Sequence, residues 1–311
     1  MEQLDLFGFS VNDNLPASEL QKQRLNSYNE NHCFQYDIRL KNYDKDLFYS
    51  GLSKDEVQRM KVSDFDFGIA KDDEEKQLCC AFIKRHEWLG TIPQYTTHYF
   101  YAKYKGILGG VILMSVPNAF SKILGNETPN LERLISRGAC ISWSPKNLAS
   151  HFLMWCIKWM VQNTDFRIFT AYSDPSAKEL GSIYQACNFY YLGNNFGTKT
   201  RYINPFNNKI CSDRFFRQRS AYKKFAKILG IEWKKEWDVG GRINWDIIPD
   251  NIEKQLRDMS KSVQSKSQKI DYEQKHKYVY VIGRDKRETK QLRKMLERNV
   301  QTFNYPKERG K

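Results

Sequence analysis

Asp174 and Tyr184, ten positions apart, are the two side chains whose types and spacing could carry a reaction. They lie in 171–193, which reads Ala-Tyr-Ser-Asp-Pro-Ser-Ala-Lys-Glu-Leu-Gly-Ser-Ile-Tyr-Gln-Ala-Cys-Asn-Phe-Tyr-Tyr-Leu-Gly. A carboxylate can take a proton or hold a cation, and a phenol with its ordinary pKa of about 10 can give a proton to a leaving group. Each has a plainer use. Asp before Pro is a common turn starter, and a lone tyrosine often fills a core with its hydroxyl at the surface. Asp174 also follows a buried strand, where α/β proteins place ligand-contacting groups, so both readings stay open at this point.

Weaker candidates surround this block. Ser144-Pro145-Lys146-Asn147 precedes a helix whose first N–H groups could hold an anion, although Ser and Asn there also serve as caps. Arg137-Gly138-Ala139 is a short fragment, well below a glycine-rich phosphate cradle. His86, His98 and His151 could ligate a metal, yet no His-Glu-x-x-His pair or Cys/His cluster gathers them.

The elements that would position these groups can be read from periodicity. A helix is expected at Cys79–His86, then a hairpin of His98–Tyr104 and Ile107–Ser115 turning at Lys105-Gly106. Leu131–Arg137 and Cys140–Trp143 read as extended. A helix to about Val161 presents Leu148, Phe152, Trp155, Cys156 and Trp159 on one face. Strand Phe166–Tyr172, helix Ala177–Cys187 and strand Phe189–Leu192 follow. The order gives a mixed α/β (α+β) sheet.

The pattern then changes. Asp213–Leu229 is a basic helical region with Ser212 as N-cap and Gly230 as stop, and Pro249–Met259 is helical too. Ser260–Lys269 reads as a flexible joint. Lys277–Gly283 is a plain strand and Lys286–Arg298 a basic helix. The simplest organisation has four parts. They are a poorly defined arm at 1–75 with a capping box at Ser53 and Glu56, a core at 76–204, an inserted basic module at 205–270, and a final strand and helix at 271–311.

Of the net charge of +14, residues 205–311 supply +13, with 27 Lys/Arg against 14 Asp/Glu. Such a confined excess suits a polyanion, nucleic acid first, and equally describes a solvated basic tail. Arg214, Arg217, Arg219, Lys223, Lys224 and Lys227, interleaved with Phe215, Phe216, Tyr222 and Phe225, are the candidate DNA contacts. Seven cysteines without regular spacing argue against a disulfide framework and for a reducing, cytoplasmic setting. The longest apolar run, Phe152–Val161, is too short to span a bilayer, so no membrane partner is expected.

Phe166–Gly193 resembles the last strand–helix–strand unit of GNAT-type acyltransferases, with Asn188 where that pattern has Gly before Phe189. Tyr-Ser-Asp-Pro, Gly181-Ser-Ile-Tyr184 and Asn188-Phe-Tyr-Tyr-Leu-Gly193 resemble more specifically the Mom family of bacteriophage DNA-modification proteins. Arg85-His86-Glu87-Trp88-Leu89-Gly90, Leu131-Glu132-Arg133-Leu134, the Lys277–Ile282 strand and Tyr305-Pro306-Lys307 add to the likeness. It covers Leu78–Tyr202 and Lys277–Lys307, leaving the arm and the basic module outside.

The resemblance implies a GNAT-like, mixed and largely antiparallel sheet flanked by helices, with a basic helical module before the last strand. It also implies an activity: converting the exocyclic amine of adenine in double-stranded DNA to a carbamoylmethyl form that shields phage DNA from host restriction. The donor would be acetyl-CoA-like or glycine-derived, and iron is associated with the family. The product is a glycinamide unit, which simple acetyl transfer cannot complete. By position, Asp174 would polarise or contact metal and Tyr184 would donate a proton. Arg133, Ser144, Lys146 and Asn147 would hold the donor's phosphates, and His86 would be a metal ligand. The usual Arg/Gln-x-x-Gly-x-Gly/Ala coenzyme loop is missing. Reaching the amine calls for base flipping, with Trp88, Trp143 or Tyr95 to stack on the base. The alternatives are an ordinary N-acyltransferase on a protein or small amine, and a DNA-binding protein without catalysis.

Overall fold

The aromatic hairpin turns at Lys105 and Gly106, whose φ values of 48° and 84° are the paired left-handed conformations of a tight two-residue turn. In the computed structural model, which describes residues 33–125, 128–197 and 199–307, this hairpin anchors the main sheet. Its early strands are β1 (Asp66–Ile69), β2 (Thr96–Tyr104), β3 (Ile107–Ser115), β4 (Glu132–Cys140), β5 (Ile168–Ser173) and β6 (Tyr190–Tyr191). Five short strands follow: β7 (Thr200–Ile203), β8 (Ile210–Cys211), β9 (Asp238–Val239), β10 (Arg242–Ile243) and β11 (Lys269–Asp271). The last is β12 (His276–Val281).

Among the described residues the main sheet has seven strands in the order β1-β2-β3-β4-β5-β12-β6. Every neighbouring pair is antiparallel except β4 and β5. This is the mixed, largely antiparallel α/β sheet that the resemblance implies. β12 enters between β5 and β6, so the last strand completes the sheet from its interior and not from an edge.

The described helices are α1 (Phe34–Ser50), α2 (Lys54–Arg59), α3 (Asp73–His86), α4 (Leu148–Asn163), α5 (Ser182–Ala186), α6 (Arg219–Ile228), α7 (Asp250–Lys266) and α8 (Lys286–Asn299). α4 buries Phe152, Cys156 and Met160 against one sheet face with Phe100, Ile112 and Phe169. α8 covers the other face, where Leu292 and Leu296 meet Ile168, Val279 and Val281. Full burial of one such side chain stabilises by about 1.5–3 kcal/mol. Arg167, only 3% exposed, fastens α8 by an ion pair to Glu288 at 3.0 Å.

The chain divides into two compact units, 1–196 with 275–311, and 197–274. The second has its own core of Phe216, Tyr222, Phe225 and Leu256. The boundaries fall a few residues outside 205–270, because β7 and β11 pair with each other and belong to the interposed unit.

Several expectations need correction. Residues 34–75 are not an irregular arm: β1 pairs with β2, and Leu47, Met60 and Phe65 are part of the main core. The reading at 1–32 lies outside the described residues. The helix expected over Ala177–Cys187 is a 3-10 turn at Pro175–Ala177 followed by the short α5. Left-handed Lys178 (φ 56°) and Gly181 (φ 67°) prevent one continuous helix. Asp213–Leu229 is likewise split at Gln218, whose ψ is 149°. The joint expected at 260–269 is helical to Lys266, because Ser260 is buried and donates to Phe216 O at 2.7 Å. Among the described residues no helix is long and apolar enough to cross a membrane, and all seven cysteines are free.

Candidate active site

The parallel junction of β4 and β5 is short. Pairing runs only from Glu132↔Ile168 to Leu134↔Thr170, although both strands continue beyond it. At the point of parting, Ser136 forms a bulge on β4, since Leu113 faces Arg137 while Met114 faces Ile135. Ser136 Oγ is held by Ser115 Oγ at 2.7 Å and donates to Leu113 O at 2.9 Å. A bulge bends its strand and re-aims the side chains after it, here away from β5. The result is a gap at the carboxyl ends of two parallel strands, a usual place for ligands in α/β sheets.

Tyr184, on α5, lies at this end of the sheet with its ring 5.3 Å from both Phe189 and Tyr278. Its hydroxyl makes no hydrogen bond to another described residue. Burial, then the charges of Glu179 and Glu87, push its pKa above the ordinary value, and Arg137 opposes them. The phenol therefore stays protonated at any physiological pH.

Glu179 is the second titrating group. Burial raises its pKa to about 8, with further contributions from the charges of Glu87 and Asp174. A hydrogen bond from Trp88 opposes the shift and does not overcome it. Glu87 is buried, accepts from Gly90 N at 2.6 Å and faces Arg137 Nε at 4.0 Å. Arg137 is fixed by bonds to Thr91 O and Thr91 Oγ1, both at 2.8 Å. A neutral phenol beside a carboxyl that titrates near neutrality can give one proton and take another.

Asp174 has a different part. Its Oδ1 accepts from Ser176 N at 3.1 Å and Ser176 Oγ at 2.6 Å, and its Oδ2 meets Lys275 Nζ at 3.1 Å. Its backbone carbonyl accepts from Glu179 N at 3.2 Å. Asp174 thus ties the end of β5 to the loop carrying Glu179. It acts on Glu179, while Glu179 and Glu87 are the carboxylates that act on the phenol.

The loop has no spare room. A Cβ on Gly181 would lie 2.5 Å from the Tyr278 ring and 3.1 Å from Tyr184, at a left-handed φ of 67°. We expect Gly181→Ala to lose at least about 1–2 kcal/mol from the backbone conformation alone, and activity with it. Urea unfolding together with a product assay reads both. Wild-type values for the two would show that the ring packing does not matter.

The metal expectation is corrected. His86 is 4% exposed, with Nδ1 3.6 Å from Asp46 Oδ2 and its ring 4.3 Å from Phe82. Asp46 also binds Arg85 at 3.0 Å and Ser142 Oγ at 2.6 Å, so His86 belongs to a network joining α1, α3 and the loop after β4. Among the described residues no three His, Cys, Asp or Glu side chains are grouped to hold a metal ion. Iron does not fit this donor set.

The donor-phosphate set is corrected as well. Arg133 lies over Phe166, its guanidinium carbon 3.6 Å from the ring centre, at the start of β4. At a strand rise of about 3.3 Å per residue, it lies roughly 23 Å from the strand's end. Ser144, Lys146 and Asn147 follow that end, so the four residues do not converge. Ser144 Oγ accepts from Arg39 at 3.1 Å. Lys146 and Asn147 are exposed. Asn147, at φ 70°, leaves the α4 N-terminus without a side-chain cap, an arrangement that fits an anionic group.

Three of the six candidate DNA contacts are engaged: Arg217 with Asp213 at 2.5 Å, and Arg219 and Lys223 with Asp238 at 3.6 and 2.6 Å. Lys224 lies over Phe206 at 4.7 Å. Arg214 and Lys227 are exposed. Surface ion pairs stabilise by about 1 kcal/mol or less, so phosphates could displace these partners. Trp143 is only 2% exposed, against Phe65 and Tyr104, and cannot stack on a base. Tyr95 is 54% exposed, and Trp88 is edge-on to Phe34 at 5.9 Å.

Glu179, Glu87 and Arg137 were not singled out from the sequence, although each lies in a segment noted there. A Glu in a turn reads as solvent-facing, whereas the fold leaves Glu179 half-buried.

Fold and cluster together define an α/β protein in which a phenol and a carboxyl of raised pKa lie where two parallel strands separate. A model described as the Mom protein family matches residues 72–307, and the chain belongs to that family. The match runs through the interposed unit, which the sequence resemblance left outside. No curated protein matches the chain. Similar solved structures include RimL, a ribosomal alpha-N-protein acetyltransferase in its apo form. It is 12% identical, covering 72% of this chain and 96% of its own, with a TM-score of 0.34. A GNAT family acetyltransferase from Elizabethkingia anophelis with acetyl-CoA bound is 11% identical, covering 70% and 99%, at 0.32. A Bacillus subtilis acetyltransferase in complex with CoA is 9% identical, covering 70% and 99%, at 0.31. Likeness at this level transfers no activity.

Proposed function

We propose that this protein is a DNA-modification enzyme that converts the exocyclic amine of adenine to a carbamoylmethyl form, a change that would shield phage DNA from host restriction. The observation that carries the reading is the unpartnered Tyr184 phenol, coupled to Glu179 where β4 and β5 separate, in a member of the Mom family. An acetyl-CoA-type or glycine-derived donor would supply the two-carbon unit, with any anionic portion at the uncapped start of α4.

The adenine amine is a weak nucleophile because its lone pair is delocalised into the ring. It attacks only as its proton is withdrawn. Glu179 accepts that proton as the amine nitrogen bonds to the methylene carbon of a donor that already carries the carboxamide. The bond from that carbon to its leaving group breaks, and the phenol of Tyr184 donates a proton to the group that leaves. Asp174 and Arg137 are positioning residues: the first holds the loop of Glu179, the second balances Glu87. The confined positive charge of the last third supports a DNA substrate, and the target base would be flipped from the stack to be reached.

Mass spectrometry of nucleosides from the DNA of cells expressing the chain tests this. An adenosine bearing the carbamoylmethyl mass is the expected result. Unmodified DNA, with the purified chain acetylating a protein or small amine instead, would overturn it.

A further inference from the structure

A concave site lies on Phe189, the ring that also packs against Tyr184. A cavity of about 520 Å³, open to solvent, is walled by Phe189, Tyr190, Tyr191, Tyr280, Phe303 and Tyr305. That volume lies within the range of ligand pockets. The wall is built, since 302–305 is fastened across β6. Phe303 N donates to Tyr191 O at 2.9 Å, and the Tyr305 hydroxyl donates to Phe189 O at 2.7 Å. Inside, Phe189 and Tyr280 are 5.0 Å apart, and Phe303 is 48% exposed.

The polar groups on the rim are unused. Asn188 and Asn304 line the cavity, and neither side-chain amide bonds another described residue. Arg293, on α8, also lines it and acts on Tyr280 by charge. Its guanidinium has no ion-pair or hydrogen-bond partner among the described residues. Lys286, Arg287, Lys290, Lys294 and Arg298 continue the exposed face of α8, and none forms an ion pair with a described residue. Flat aromatic faces take a planar ring by stacking. Paired amide donors and acceptors match the edge of a base. A free guanidinium binds phosphate.

We propose that this cavity holds an unstacked nucleobase of a DNA strand, with its phosphate on Arg293 and the flanking phosphates along α8. The proposal rests on the DNA reading above and adds a nucleic-acid contact outside the interposed unit, with Tyr184 itself not among the residues that line it.

The test uses the full chain and a short single-stranded oligonucleotide carrying one 2-aminopurine, whose fluorescence falls when it stacks. Wild-type protein should quench it and bind in a salt-dependent way. Phe303→Ala should weaken binding roughly 5- to 150-fold, the range for losing one base–aromatic stack, and relieve the quench. Arg293→Gln should weaken binding and flatten the salt dependence. Phe303 and Arg293 are exposed, and circular dichroism of both variants should match wild type. Wild-type affinity and quench in both variants would overturn the proposal, as would equal competition by polyglutamate. Quenching without any modified adenosine would sink the proposed reaction and leave this site standing. Modified adenosine without quenching would do the reverse.

Discussion

Tyr184→Phe should abolish the modified adenosine while leaving a folded protein. General acid catalysis by a positioned side chain contributes about 10²–10⁴ in rate, so turnover should fall by that factor. Stability should barely change, because the hydroxyl makes no hydrogen bond to a described residue, and the ring contacts to Phe189 and Tyr278 at 5.3 Å remain available to phenylalanine. The two readouts therefore separate. Nucleoside mass spectrometry reports the reaction, and urea unfolding reports the fold. A variant that still modifies DNA at the wild-type rate would remove the phenol from the chemistry.

Glu179→Gln is the second large effect, and its signature is a pH profile. The folded carboxyl loses its proton near pH 8, against an ordinary value of 4.5, because burial and the charges of Glu87 and Asp174 disfavour the anion. As the proton acceptor it works only when ionised, so the wild-type rate should rise as pH passes through about 8. The Gln variant should be slower by about 10²–10⁴ and lack that rise. Stability runs the other way. The folded state holds the proton more tightly than the unfolded chain, so this group's stabilisation is full below pH 4.5 and is lost as pH climbs to about 8. The Gln variant should lose less stability over that window. An unchanged inflection near pH 8 in the variant would assign the titration to another group.

The two residues chosen first from the sequence met different fates. Tyr184 was legible chiefly through the resemblance carried by Gly181-Ser-Ile-Tyr184 and Asn188-Phe-Tyr-Tyr-Leu-Gly193, since a lone tyrosine reads first as core. Asp174 was legible as a turn starter, and the turn is what it makes: its oxygens are taken by Ser176 and Lys275. The carboxyl that couples to the phenol, Glu179, stands in the same block between a lysine and a leucine. Local sequence gives no sign that it is half-buried beside the phenol's other charged neighbour, Glu87.

Local physics determined much by itself. The hairpin over Thr96–Ser115, the amphipathic α4 and the late strand β12 each follow from the period of their apolar residues and the turn chemistry at their ends. The positive charge of the last third is a matter of composition alone. Tertiary structure decided the rest. Where β4 leaves β5 depends on a one-residue bulge at Ser136, which no pattern of side chains announces. The insertion of β12 between β5 and β6, and the joining of Glu87, Arg137, Glu179 and Tyr184 from separate parts of the chain, are long-range events. A pKa near 8 belongs to that assembled surrounding, because only folding removes the water that would otherwise stabilise the charge.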